Sequence, residues 1–127
     1  MKNNPVGWFE IYVQDMPRAK TFYEAVFQGK LEKLTNPNDD IELELWAFPM
    51  QMDALGASGA LVKLNGVASG GNSTLVYFRC EDCAVEESRV EQCGGHIHRK
   101  KIAIEKYGFI SLVLDTEGNM IGLHSMQ

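Results

Sequence analysis

Trp8-Phe9-Glu10-Ile11-Tyr12-Val13-Gln14-Asp15 runs through aromatic and β-branched residues and then stops at an aspartate followed by Met16-Pro17. A half-buried strand reads this way, and the aspartate stands where it caps a helix whose first turn tolerates proline. Ala19, Phe22, Tyr23, Val26 and Phe27 then recur at helical spacing. The segment predicts an amphipathic helix with that stripe toward the core and Gly29 as its stop. Strands are expected from Lys30 to Leu34, Ile41 to Phe48 and Ala57 to Leu64, separated by a turn over Asn36–Asp40 and a Met-containing loop from Pro49 to Gly56.

A shift of 67 residues places Asp15 on Asp82 and Trp8–Gln14 on Leu75–Glu81, and brings Gln28-Gly29 within a residue of Gly94-Gly95. A fixed offset that aligns a strand, a cap and a helix stop marks an internal duplication. The second copy reads as a strand from Thr74 to Cys80, a weaker helix from Cys83 to Cys93 and three strands. The last two of these are Tyr107 to Asp115 and Met120 to Met126, joined by the turn Thr116-Glu117-Gly118-Asn119. Val67 to Asn72 is small and polar and suits the connection between copies. The chain is therefore read as one α+β domain, residues 1–127, of two βαβββ units over roughly 5–65 and 73–127.

With 45% hydrophobic residues the chain has enough apolar surface for one core, and its net charge of −5 with scattered Lys and Arg offers no footprint for nucleic acid. Its apolar runs are strand-sized, so no membrane partner is expected. Three cysteines cannot all pair within one chain, which points to a reduced, cytoplasmic setting rather than a disulfide-stapled secreted one.

Alternation puts Phe9, Ile11 and Val13 on one face of the first strand and Trp8, Glu10 and Tyr12 on the other. The repeat puts Val76, Phe78 and Cys80 opposite Leu75, Tyr77 and Arg79. Faces mixing rings with charges are more than a solvated surface needs, and they predict a cupped mixed sheet around a small molecule, with the helices outside. Gly122 and His124 share a face on the last strand, so Glu10, Arg79 and His124 are the candidate acid–base or orienting groups. Trp46, Phe48, Met50 and Met52 are candidates for adaptable walls, or for ordinary core; parity alone leaves both open.

The chain resembles the glyoxalase, bleomycin-resistance and extradiol-dioxygenase superfamily. The resemblance rests on Phe9 to Met16 with Ala19 and Phe22-Tyr23, on Gly94-Gly95, and on Tyr107-Gly108 leading through Asp115 to Asn119 and the last strand. It implies two units forming a cup, often as a homodimer. It also implies, for metal-dependent members, His or carboxylate ligands on the first and last strands of each unit. Carried over, those positions fall on Trp8, Leu75, Gly122 and a place near Leu61, Val62 or Lys63. None suits a divalent cation, so no metal and no other cofactor is expected.

Other chemistry has plainer readings. Cys80 and Cys83 have zinc-finger-like spacing, but the acidic Glu81-Asp82 between them disfavours thiolate, and core or near-surface thiols are expected. His96 and His98 beside Arg99-Lys100-Lys101 read as a charged edge strand. Gly66 to Gly71 lacks a phosphate-binding Gly-Lys-Ser/Thr. The leading expectation is a metal-free binding protein holding its ligand with Trp8, Glu10, Tyr12, Tyr77, Arg79, Gly122 and His124. The alternative is a glyoxalase-type lyase or isomerase, using a displaced metal site or acid–base residues.

Overall fold

The computed structural model describes residues 3–37, 42–70, 73–114, 116 and 119–127. The Asn38–Asp40 part of the first turn, Gly71-Asn72 of the connection, and Asp115, Glu117 and Gly118 of the last turn lie outside the described residues. The fold is mixed α+β, an eight-stranded mixed sheet with two helices, in the element order expected for two βαβββ units. Contacts divide the chain into two compact units, Phe9–Thr74 and Met1–Trp8 with Leu75–Gln127.

The Phe9–Thr74 unit contains most of β1 (Val6–Tyr12), then α1 (Met16–Phe27), β2 (Glu32–Leu34), β3 (Leu43–Ala47) and β4 (Ser58–Leu64). Its strand order is β2-β3-β4-β1, with β2, β3 and β4 antiparallel. Asp15 caps α1 as the sequence indicates, its carboxylate accepting from the Arg18 amide at 3.0 Å. Val13, Met16, Leu31 and Leu61 form the core beneath the helix, with Ile11, Ala19, Tyr23, Trp46 and Phe48 packed against them. Met16 and Leu61 are fully buried, and each such side chain contributes about 1.5–3 kcal/mol by leaving water.

One open alternative closes in this unit and two expectations change. Trp46 and Phe48 lie under α1: Lys20 Nζ sits 3.3 Å from the Trp46 ring centre, and Phe48 meets Phe9 and Tyr23. The helical stripe is divided, because Ala19 and Tyr23 face the sheet while Phe22, Val26 and Phe27 are 57%, 56% and 70% exposed. Gln28 rather than Gly29 takes the left-handed helix-ending conformation, at φ 53°.

The other unit holds β5 (Thr74–Arg79), α2 (Cys83–Val90), β6 (His96–Ala103), β7 (Phe109–Leu114) and β8 (Met120–Ser125), in the order β5-β8-β7-β6 beside the first residues of β1. β5 and β8 run parallel, and β8-β7-β6 antiparallel. The helix is shorter than expected, ending at Val90. Tyr107 belongs to a 3-10 turn, Glu105–Tyr107, rather than to β7. Asp82 caps α2 through the Ala84 amide at 3.0 Å and also meets Lys101 Nζ at 2.8 Å. The bond to Lys101 holds the Asp82 carboxyl below its usual range.

Cys83, Val113 and Leu123 form the core under α2, with Phe78 and Cys80 among the residues packed on it. Ser111, fully buried, donates to Glu87 Oε1 at 2.8 Å, and the same oxygen accepts the Lys101 amide at 2.6 Å. One carboxylate thus ties α2 to β6 and β7, offsetting the desolvation of a buried hydroxyl. Burial, and then the nearby Glu86 carboxylate, push the Cys80 thiol up to about 11. Cys83 is buried and Cys93 exposed. Only Cys93 should therefore react quickly with iodoacetamide near neutral pH in the folded protein. Peptide mapping that finds Cys80 labelled as fast as Cys93 would contradict this.

Candidate functional site

The two helices fix which sheet face is left over in each unit. In β5 and β8, Phe78, Cys80, Ile121 and Leu123 turn toward α2, so alternation sends Tyr77, Arg79, Gly122 and His124 to the opposite face. The parallel register makes them neighbours: Tyr77 pairs with Gly122 and Arg79 with His124. Ile110 and Leu112, opposite His124 and Gly122 on β7, continue the face as a half-buried apolar wall. Sequence reasoning missed these two residues, although their period-2 alternation in Phe109–Leu114 is the signal that finds them.

Gly122 is closely packed. A Cβ there would lie 2.2 Å from Tyr77 Cδ1 and 2.3 Å from Cε1, so the Tyr77 ring rests directly on the glycine backbone. Tyr77 is only 6% exposed. Gly122 is thus a contact surface for an aromatic ring, a role that its sequence position alone does not announce.

His124 Nε2 lies 2.6 Å from the Tyr107 carbonyl oxygen. Since a carbonyl only accepts, Nε2 carries a proton, and in the uncharged tautomer that this bond selects the lone pair is on Nδ1. The 3-10 turn at Glu105–Tyr107 supplies this carbonyl. Arg79 is exposed; its amide donates to the Pro5 carbonyl at 2.8 Å, and its guanidinium lies where a Cβ on Gly7 would be, 2.8 Å from Nε. Trp8, also in this unit, is half-buried.

Glu10 and Tyr12 belong to the Phe9–Thr74 unit. The Tyr12 hydroxyl donates to Glu10 Oε1 at 2.8 Å. Burial, and then the Glu10 charge, raise the Tyr12 phenol far above its usual range, so it stays a neutral donor. As a pair they offer a polar ligand a carboxylate already oriented by a hydrogen bond. Met50 and Met52 stand apart on the exposed loop after Pro49.

Equivalent hydrogen bonds align the two copies. Val13 N donates to the Val62 carbonyl at 2.9 Å, and Cys80 N to the His124 carbonyl at 2.7 Å. Val62 therefore corresponds to His124 and Ala60 to Gly122, which moves the fourth ligand position from the Leu61–Lys63 stretch to Ala60. The four positions are then Trp8, Ala60, Leu75 and Gly122. None offers a ligand atom for a divalent cation, and a side chain at Gly122 would strike the Tyr77 ring. These residues do not fit the metal. Among the described residues, no three His, Cys, Asp or Glu side chains gather into a metal-binding group, and no helix is long and apolar enough to cross a membrane.

The chain belongs to the Glyoxalase/Bleomycin resistance protein/Dioxygenase superfamily, whose family profile matches residues 6–123. Its fold is similar to that of methylmalonyl-CoA epimerase from Mycobacterium tuberculosis, with a TM-score of 0.70 at 15% identity over 97% of this chain and 88% of that one. A variant of the Streptomyces coelicolor methylmalonyl-CoA epimerase in complex with 2-nitronate-propionyl-CoA matches with a TM-score of 0.65 at 12% identity, over 96% of both chains. A hypothetical protein from Bacillus halodurans C-125 reaches 0.74 at 10% identity, over 99% of this chain and 96% of that one. No curated protein sequence matches.

Proposed function

We propose that this chain is a metal-free small-molecule-binding protein of the superfamily, cytoplasmic and homodimeric. Its ligand lies against the sheet face of one unit that carries Trp8, Tyr77, Arg79, Gly122 and His124, while Glu10 and Tyr12 give the Phe9–Thr74 unit a polar binding surface of its own. The observation that carries this reading is the Tyr77 ring seated on Gly122. A position that supplies a carboxylate in metal-dependent relatives is here an apolar surface, the kind of wall that binds an organic ligand by contact. His124 Nδ1 is the polar atom on that face best suited to accept a hydrogen bond from the ligand.

The test is a thermal-shift screen of chelator-treated protein against organic acids and acyl thioesters. Methylmalonyl-CoA is included because a structural relative is known in complex with it. A ligand at a hundred times its dissociation constant adds about 2.7 kcal/mol to stability, a shift of several degrees. At least one compound should bind without metal. The reading fails if chelation abolishes all binding, or if one equivalent of Ni²⁺, Zn²⁺ or Fe²⁺ restores turnover.

A lyase or isomerase working through acid–base residues is the second reading. It is favoured by the His124 ring, whose bond to the Tyr107 carbonyl leaves Nδ1 to take a proton. Turnover of a bound acyl thioester, abolished by His124→Ala while binding survives, would select it over simple binding.

A further inference from the structure

The face opposite α2 is divided into two rows that run across its strands. Register sets Arg79 of β5 beside His124 of β8, and His124 opposite Ile110 of β7. Two residues back along the strands it sets Tyr77 beside Gly122, and Gly122 opposite Leu112. The first row begins with a cation and an imidazole. The second is a ring, bare backbone and a leucine.

Both long side chains that β5 contributes to this face are bedded on glycine. Tyr77 lies on Gly122, and the Arg79 guanidinium lies against Gly7 of β1, where a Cβ would come within 2.8 Å of Nε, 2.9 Å of Nη2 and 3.2 Å of Cζ. Glycine inside a strand weakens it and marks a place where another group approaches the backbone closely. Arg79 is nonetheless exposed, and among the described residues it enters no ion pair. A guanidinium keeps its charge, and its fork of N–H donors matches the two oxygens of a carboxylate.

We propose that Arg79 selects a carboxylate ligand, a monocarboxylic organic acid whose charged end meets the guanidinium and whose apolar body lies along Tyr77, Gly122 and Leu112. One guanidinium balances one negative charge, and the two rows hold no second Lys or Arg for a phosphate dianion. The lone pair on His124 Nδ1 is no partner for a carboxylate, which leaves Arg79 as the group that reads charge. The inference rests on the binding reading above, at the same face, and adds the charge and polarity of the ligand.

Titration of the full chain with phenylacetate and with its uncharged amide, phenylacetamide, followed by NMR of the backbone amides, tests it. Phenylacetate should shift the signals of Tyr77, Arg79, Gly122 and His124 saturably, and phenylacetamide should bind about tenfold more weakly or worse. Arg79→Gln should abolish this preference, so that acid and amide bind alike. Gly7→Val should reduce it, because the new side chain lifts the guanidinium from the strand; thermal melts of both variants identify any loss of folding. Acid and amide that bind the wild type equally at these residues overturn the carboxylate inference and leave the binding reading standing. Displacement of phenylacetate by an equal concentration of inorganic phosphate overturns it in favour of a phosphate ligand. Shifts from neither compound overturn it too, and the binding reading then stands or falls on the thermal-shift screen alone.

Discussion

Gly59→Ala should lower the stability of the protein by about 3 kcal/mol, a fall of roughly 10 °C in melting temperature for a chain of this size. The new methyl carbon would lie 2.5 Å from the Phe9 carbonyl oxygen and 2.6 Å from two atoms of the Phe9 ring. A ring can turn aside, but a carbonyl on the adjoining strand moves only if β1 or β4 moves. For that reason Phe9→Ala should not restore the double variant, and removing a ring that contacts Phe48 should cost more. Differential scanning calorimetry of the two single variants and the double decides the matter. A Gly59→Ala protein that melts with the wild type would show that the two strands are not held at this separation.

Gly122→Glu should be nearly as damaging, for a different reason. Its Cβ would overlap the Tyr77 ring, which is a movable side chain, but Tyr77 is almost wholly buried and has to leave its seat. Displacing it and bringing a carboxylate onto an apolar face should together cost about 2–3 kcal/mol. Here the neighbour can be removed. Tyr77→Ala alone should cost about 3–5 kcal/mol as a truncated aromatic, and the pair should cost less than the two losses added, by about 1 kcal/mol or more. Strict additivity in the double-mutant cycle would mean that the ring does not rest on Gly122. Placing a carboxylate at this one position should not create a metal site, because Trp8, Ala60 and Leu75 add no ligand atoms. Added Ni²⁺ should leave the variant's melting temperature unchanged.

The contrast between the two glycines shows how far the sequence can be read. Asp15 and Asp82 are legible as caps because capping is local: the residue, its φ/ψ and its acceptor bond involve only the next three positions. The face assignments of Phe9, Ile11 and Val13 are legible because strand parity is fixed by geometry. The seat of Tyr77 on Gly122 is not, since it depends on the register of two parallel strands more than forty residues apart. The α1 stripe misleads for a related reason. At 100° per residue Phe22 and Val26 fall to one side of Ala19 and Tyr23, and Phe27 to the other, and periodicity does not say how narrow a strip of that arc the sheet covers. Trp46 shows the reverse: nothing in its own stretch separates core from cup, and its placement opposite Leu61 decides it.

The corresponding hydrogen bonds from Val13 and Cys80 pair Glu10 with Tyr77, and Ala60 with Gly122. At the first pair one copy carries an acid held by a phenol and the other a ring lying on bare backbone. Within one shared hydrogen-bond frame the two units therefore carry unlike chemistry, a charged hydrogen-bonded pair in Phe9–Thr74 and an aromatic ring seated on backbone in the other, so matched substitutions at Glu10 and Tyr77 act on unlike surroundings.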